Sequence, residues 1–289
     1  MKKPKHFICI VLLATFVPPA FAIDLVPGDA RAPQTGYDLI QFSQVTTERG
    51  DAYVNGQRQP GNPRIDASQL FVRYGHSFAA ADLPAFFYVQ APVGYVHTGG
   101  TLAGLSGDSG LGDTTLVLAL WPYANRETKT YFGLASYLIA PTGSYSNQRS
   151  INMGGNRYQA AVQMAYQTAL SDAWHGMVAL DTLWSGDNKD FGAARVPLEQ
   201  RPLHSAQAAL LYELNPQYSF GLSYFLTQGG ETRVNGLDRN DSTRVQRYQA
   251  TAIGNYPFGR LVFQYGGDLK TENGFIEKRR WILRYAKIF

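Results

Sequence analysis

The chain closes on FIEKRRWILRYAKIF, residues 275–289, where Trp281, Leu283, Tyr285 and Phe289 share one parity and Arg280, Ile282, Arg284, Ala286 and Ile288 share the other. A period of two is the period of a β-strand, whose successive side chains point to opposite faces. One face is aromatic and aliphatic; the other carries two guanidinium groups. A soluble sheet would turn the apolar face to a core and the charged face to water. A transmembrane barrel inverts this, with the apolar face toward lipid and the charged face toward a wet lumen.

The other end of the chain bears on compartment. Lys2, Lys3 and Lys5 form a basic head, Phe7 to Val17 is an apolar run, and Ala20-Phe21-Ala22 supplies a small-x-small site, so residues 1–22 read as a cleavable secretory signal peptide. The run is short and meets Pro18 and Pro19, which rules it out as a stable spanning helix. The mature chain is expected to begin at Ile23. Cys9, the one cysteine, leaves with the leader, and no disulfide, thiol nucleophile or cysteine metal site is expected to remain. Loss of the three leader lysines brings 26 basic and 22 acidic residues close to balance, and nothing in that charge points to nucleic acid. A strand ending in Phe at the C-terminus resembles the signal that outer-membrane proteins present to their barrel assembly machinery, with Trp281, Leu283, Tyr285 and Phe289 as its outward residues. Lys287 departs from that pattern, and near a rim its stem can snorkel to headgroups.

Between the ends, aromatics at 13%, with 18 Tyr and 29 Gly, favour many strands over helices. Nowhere after the leader do 18 apolar residues run uninterrupted, so a helical membrane protein is excluded. Residues 23–36, IDLVPGDARAPQTG, read as an irregular lead-in that either hangs outside or folds into a lumen. From Tyr37 to Phe289 the patterning predicts a closed antiparallel transmembrane β-barrel, all-β, of about twelve strands, with ten or fourteen also compatible. The clearest strand sets Tyr158, Ala160, Val162, Met164 and Tyr166 against Gln159, Ala161, Gln163, Ala165 and Gln167. Another runs from Trp174 to Trp184 with an aromatic at each end, as interfacial girdles require. The first strand, roughly 37–48, is weakly patterned, and a long polar connection holding the Asn55-Gly56 turn separates it from a second near 68–79. Pro84 and Pro92 disfavour a central strand of a soluble sheet. Connections alternate long and short along the chain, which is the asymmetry of outer-membrane barrels, with short turns on the periplasmic side.

GLGDTTLVLALWPY (110–123), YFGLASYLIAPTGSY (131–145), NMGGNRYQ (152–159), WSGDNKDFGA (184–193), TQGGETRVNG (227–236), LVFQYGGDL (261–269) and ENGF (272–275) occur in this order and spacing. In combination, over most of the mature chain, they resemble the putative MetA-pathway of phenol degradation family. The resemblance implies an outer-membrane transporter-like barrel linked with aromatic compound catabolism. It carries over no binding residues.

The pairs Asp108 and Asp113, or Asp187 and Asp190, are candidate ligands for a hard cation, but Gly-Asp pairs form turns far more often, and no metal site is predicted. GLSGDSGLGD precedes a strand rather than opening a helix, which rejects a phosphate-binding loop. A hydrolase would need a histidine converging with a serine and a carboxylate or amide. His76 and His204 fall on the lipid parity without a serine partner in the pattern; His97 and His175 carry no stronger signal. No cofactor is expected, and the chain is not expected to be an enzyme. The inward parity is where function is placed: Arg73, Gln159, Gln163, Gln167, Asp181, Gln207, Arg247, Gln249, Gln264, Asp268, Arg280 and Arg284. These residues either form a satisfied polar network that shapes the barrel or line a solute path, and the two are compatible. With membrane lipid, the assembly machinery and a small hydrophobic or aromatic solute as partners, the expectation is a narrow passive channel; a plugged structural or surface barrel is the alternative.

Overall fold

The computed structural model describes residues 23–289, and the expected signal peptide, residues 1–22, lies outside the described residues. Twelve strands form the wall: β1 (Asp38–Val54), β2 (Pro63–Ala80), β3 (Leu83–Gly100), β4 (Thr114–Asn125), β5 (Thr130–Ala140), β6 (Gln159–Ala169), β7 (Trp174–Ser185), β8 (Leu203–Glu213), β9 (Tyr218–Gly229), β10 (Thr243–Tyr256), β11 (Gly259–Thr271) and β12 (Gly274–Ile288). Each pairs antiparallel with its chain neighbours, and β12 pairs back onto β1 from Leu39↔Ile288 to Tyr53↔Gly274, closing the barrel. Closure leaves no strand edge in the wall, so the ladders satisfy the backbone groups that lipid cannot.

The outward face is apolar. Leu283 is 57% exposed and Leu222 58%, and Trp174 and Trp184 both point outward from opposite ends of β7. Near the short-turn end, Trp174 and Tyr212 lie 4.9 Å apart between centroids and Tyr256 stacks on Phe258 at 5.0 Å, as an interfacial girdle requires. The strand whose facing the pattern leaves open, β5, turns Tyr131, Gly133, Ala135 and Tyr137 inward and Leu134 and Leu138 outward.

Two expectations are corrected. The polar stretch between the first strands is not loop: β1 runs on to Val54 and β2 starts at Pro63, so the hairpin continues well past the range that apolar alternation marks. Its polar residues still pair across the ladder, and Asn55 and Gly56, with φ of 50° and 75°, form the type I′ turn. The period of two also slips in β12. Arg279 pairs with Glu48 and Glu277 with Arg49, so a bulge leaves Lys278 and Arg279 both outside and returns Glu277 to the lumen.

Pro92 is accommodated because the β3–β4 ladder ends at Gln90↔Thr115; beyond it a short strand at Asp108–Leu111 pairs with Val93 to Val96. Above the long-loop end, Asn188–Phe191, Val196–Gln200, Thr232–Val234 and Leu237–Asp238 form a small second sheet.

Candidate functional site

The lead-in folds into the lumen. Val26-Pro27-Gly28-Asp29 is a type II turn, with Asp29 N donating to Val26 O at 2.9 Å and Gly28 at φ 101°, a backbone state that suits glycine. From Tyr37 at the short-turn end the segment climbs until Ile23 lies among Val117, Tyr137, Ala161, Leu183 and Leu203. Val26 packs on Leu211, Ile253 and Val262, Ala30 on Ala165, Met177 and Ala179, and Ala32 on Trp121 and Tyr131.

Polar groups of the wall complete the docking. Gln207 accepts from Leu25 N at 3.1 Å and donates to Leu25 O at 2.7 Å, capturing one residue's backbone as a neighbouring strand would. Gln163 Nε2 donates to Ile23 O at 2.7 Å, and Trp121 Nε1 to Ala30 O at 2.8 Å. Asp24 sits between two guanidiniums, 2.5 Å from Arg247 Nη2 and 3.6 Å from Arg280 Nη1. Asp29 faces Arg260 at 3.2 Å and Arg284 at 3.6 Å, and Arg31 meets Glu213 at 2.5 Å.

The twelve residues that the inward parity selects are buried or half-buried, and they divide by partner. Gln163, Gln207, Arg247, Arg280 and Arg284 hold the lead-in. Others bond within the wall: Arg73 to Gln90, Gln159 to Ser185 and Gln264 to Thr251. Asp268 accepts from Glu277 N at 2.7 Å. Asp181 stands opposite Gln163 and Ser205 in the ladders on either side. Gln167 is fully buried, and neither its amide nor Nε2 of Gln249 finds a partner among the described residues. Sequence pattern missed Asp24, Asp29 and Arg31, which have no strand parity to reveal them, and Glu277, which the bulge displaces. Glu277 takes Arg280 at 2.6 Å and Arg49 at 3.0 Å, making it the anionic centre of the wall.

At the long-loop end three of the quoted motifs converge. Asp113 accepts from Gly143 N at 2.9 Å and Gly155 N at 2.7 Å, tying residues 141–157 down over the mouth. Burial pushes its carboxyl above the ordinary value, and these two N–H groups oppose that shift. Arg157, also in this cap, is pulled down to about 10 by burial, against the pull of Asp113 and Asp187. Asn188, 1% exposed, joins Tyr145 and Asn156 at 2.9 Å each. Ile151 and Met153 pack with Ile65, Val96 and Leu102 as a small core of the cap.

Three of the four carboxylates weighed as cation ligands, Asp108, Asp113 and Asp190, are occupied by protein donors. Asp108 bonds Arg149 and, at 2.8 Å, Met153 N, while Asp190 takes Asn147 and Arg195. The histidines are scattered. His76 bonds Asp38 at 2.9 Å on the outer face, His204 meets Thr182 at 2.9 Å, His97 lies tilted against Tyr95, and His175 lies 2.9 Å from Glu213 in the lumen. None is hydrogen-bonded to a serine among the described residues.

The lead-in does not fill the bore, and open space remains around it. A cavity of about 810 Å³ borders the lead-in, with Arg73, Phe86, Tyr88, Trp121, Tyr137 and Arg284 on its walls. That volume falls within the range of small-molecule sites.

Comparison with known proteins agrees with this architecture. The family model described as Putative MetA-pathway of phenol degradation matches residues 47–284. A crystal structure of an outer membrane channel from Pseudomonas putida F1 superposes with a TM-score of 0.89 at 29% identity, covering 92% of this chain and 100% of that one. The transport unit of an Escherichia coli autotransporter (TM-score 0.52, 8% identity, 96% of each chain) and the β domain of a Bordetella autotransporter (0.51, 12%, 87% of this chain and 99% of that one) share the barrel fold. No curated protein matches the chain.

Proposed function

Because the chain belongs to the Putative MetA-pathway of phenol degradation family and has the fold of an outer-membrane channel, we propose that it is a passive, selective channel for small aromatic or otherwise hydrophobic compounds. The observation that carries this reading is the lumen itself. It is shared between a lead-in held without covalent bonds and a cavity of about 810 Å³ with aromatic walls. A twelve-stranded barrel is narrower than a general porin, and here the segment 23–33 takes up much of its bore. Passage therefore requires the lead-in to shift, and the hydrogen bonds and ion pairs of Asp24, Leu25 and Asp29 set the threshold. The outward Trp281, Leu283, Tyr285 and Phe289 are the contact for lipid and, during biogenesis, for the barrel assembly machinery. The leader 1–22 delivers the chain to that machinery.

The test is uptake of labelled aromatic compounds into proteoliposomes holding the refolded mature chain, beside empty liposomes. Saturable, compound-selective uptake supports the channel. The occupied lumen favours one other reading, a permanently plugged barrel with a structural or surface role. That reading takes over when flux equals the empty control for both the intact chain and a chain lacking residues 24–33.

A further inference from the structure

The cavity beside the lead-in is short of negative charge. Arg260 and Arg284 share the single carboxylate of Asp29, at 3.2 and 3.6 Å. Nε of Arg284 is buried and has no hydrogen-bond partner among the described residues. Arg73 bonds only the neutral amide of Gln90, at 2.8 and 3.0 Å, and forms no ion pair among the described residues. The other carboxylates on the cavity wall are committed elsewhere: Asp24 to Arg247 and Arg280, Glu213 to Arg31 and His175, and Asp38 to Tyr74 and His76 on the outer face. Withdrawing guanidinium groups from bulk water costs free energy unless counter-charge is supplied. Of the four arginines and four carboxylates on the wall, Arg31 is paired with Glu213, so Arg73, Arg260 and Arg284 are left with Asp29 alone.

Beside these cations stands an aromatic wall. The guanidinium carbon of Arg73 lies 4.0 Å from the centroid of the Tyr88 ring, and Phe86 and Tyr88 are 5.9 Å apart. Trp121 and Tyr137 spend their polar tips on Ala30 O and Gln163 Oε1, so toward a solute they present mainly ring surface. Planar N–H donors and aromatic surface therefore meet in one place, which matches a solute carrying both a carboxylate and a ring.

We infer that this cavity is a binding site for a small aromatic carboxylate, with Arg73 and Arg284 holding the carboxylate and Phe86 and Tyr88 the ring. The inference rests on the channel reading and narrows its solute class. A neutral aromatic would use the rings alone, and a simple anion the guanidiniums alone. Both serve as controls.

The experiment is titration of the detergent-solubilised mature protein with benzoate, benzyl alcohol and acetate, read by intrinsic tryptophan fluorescence and by calorimetry. Benzoate is expected to bind about tenfold or more tightly than either control, the scale of one charge-assisted hydrogen-bonded contact. Arg73→Gln is expected to remove about tenfold of the benzoate affinity and leave benzyl alcohol unchanged, and Arg73→Lys to retain part of it. Arg284→Gln repeats the test at the second cation, and the heat-modifiable gel shift confirms that each variant is a folded barrel. Benzoate and benzyl alcohol binding alike to the wild-type protein, or shifting alike in Arg73→Gln, overturns the inference. Proteoliposome flux of the same three solutes separates the two readings. Selective benzoate binding without flux keeps the site and sinks the channel, whereas flux without benzoate preference keeps the channel and sinks the site.

Discussion

Asp24 answers two guanidiniums with one carboxylate, and this makes it the most consequential single residue of the lead-in. Asp24→Asn leaves Arg247 and Arg280 facing a neutral amide in the lumen, and breaking a buried pair from one side costs about 3–5 kcal/mol. That loss falls on the docked state alone, so planar-bilayer recordings of Asp24→Asn are expected to show larger or more frequent conductance steps than wild type. An unchanged trace would remove Asp24 from the threshold. Asp113 makes a different, pH-dependent prediction. Its folded pKa is raised above 3.8 by burial, so the folded cap binds this proton more tightly than the unfolded chain does. The stability from that proton is fully present below the unfolded value and is lost as pH rises through the raised value. The Tm of wild type relative to Asp113→Ala is therefore expected to be highest below pH 3.8 and to fall as the pH rises above it; a flat difference contradicts the burial argument.

At the scale of elements, the cap loop 141–157 brings its own backbone close to itself at Gly143 and Gly154, beside the Asp113 carboxylate. A Cβ on Gly154 would come within 2.7 Å of Gly143 C and 2.9 Å of Asp113 Oδ1, so neither loop crossing tolerates a methyl group without shifting. Gly154→Ala is expected to cost about 1–3 kcal/mol of cap stability. Limited proteolysis should then cut within 141–157 while the heat-modifiable shift of the barrel stays as in wild type. The last strand allows seam and signal to be separated. Phe289 N donates to Asp38 O at 3.0 Å and Asp38 N to Phe289 O at 2.9 Å, so the closing ladder uses only its backbone. Phe289→Ala keeps both bonds. Reduced folded barrel in cells with normal refolding in detergent would assign the ring to the assembly machinery; equal yields in both would leave it a lipid contact.

For the whole molecule, removal of residues 24–33 is expected to leave a heat-modifiable barrel, because the twelve ladders and the β1–β12 seam do not run through the lead-in. Conductance should rise at the same time, the lumen having lost its largest occupant; a variant that no longer forms the barrel would make the lead-in part of the core. Period-two alternation is a local property, so strands such as Trp281 to Phe289 and Tyr158 to Gln167 declare a barrel and their own two faces before any contact is known, while the strand number stays at about twelve. Alternation cannot say which inward residue meets which. Gln207 serves the backbone of Leu25, 182 positions away, and Arg247 serves Asp24, 223 away, so lead-in docking exists only once the barrel brings them together. The same holds for Glu277, whose inward position depends on a bulge set against β1, and for the Asp113 knot, where residues 113, 143 and 155 meet. Sequence alone determined a lipid-facing barrel with a polar interior, since each strand needs only its own pattern to choose its faces. Tertiary structure decided that the interior is occupied and where space remains, because that depends on how a segment without periodicity packs inside a closed wall.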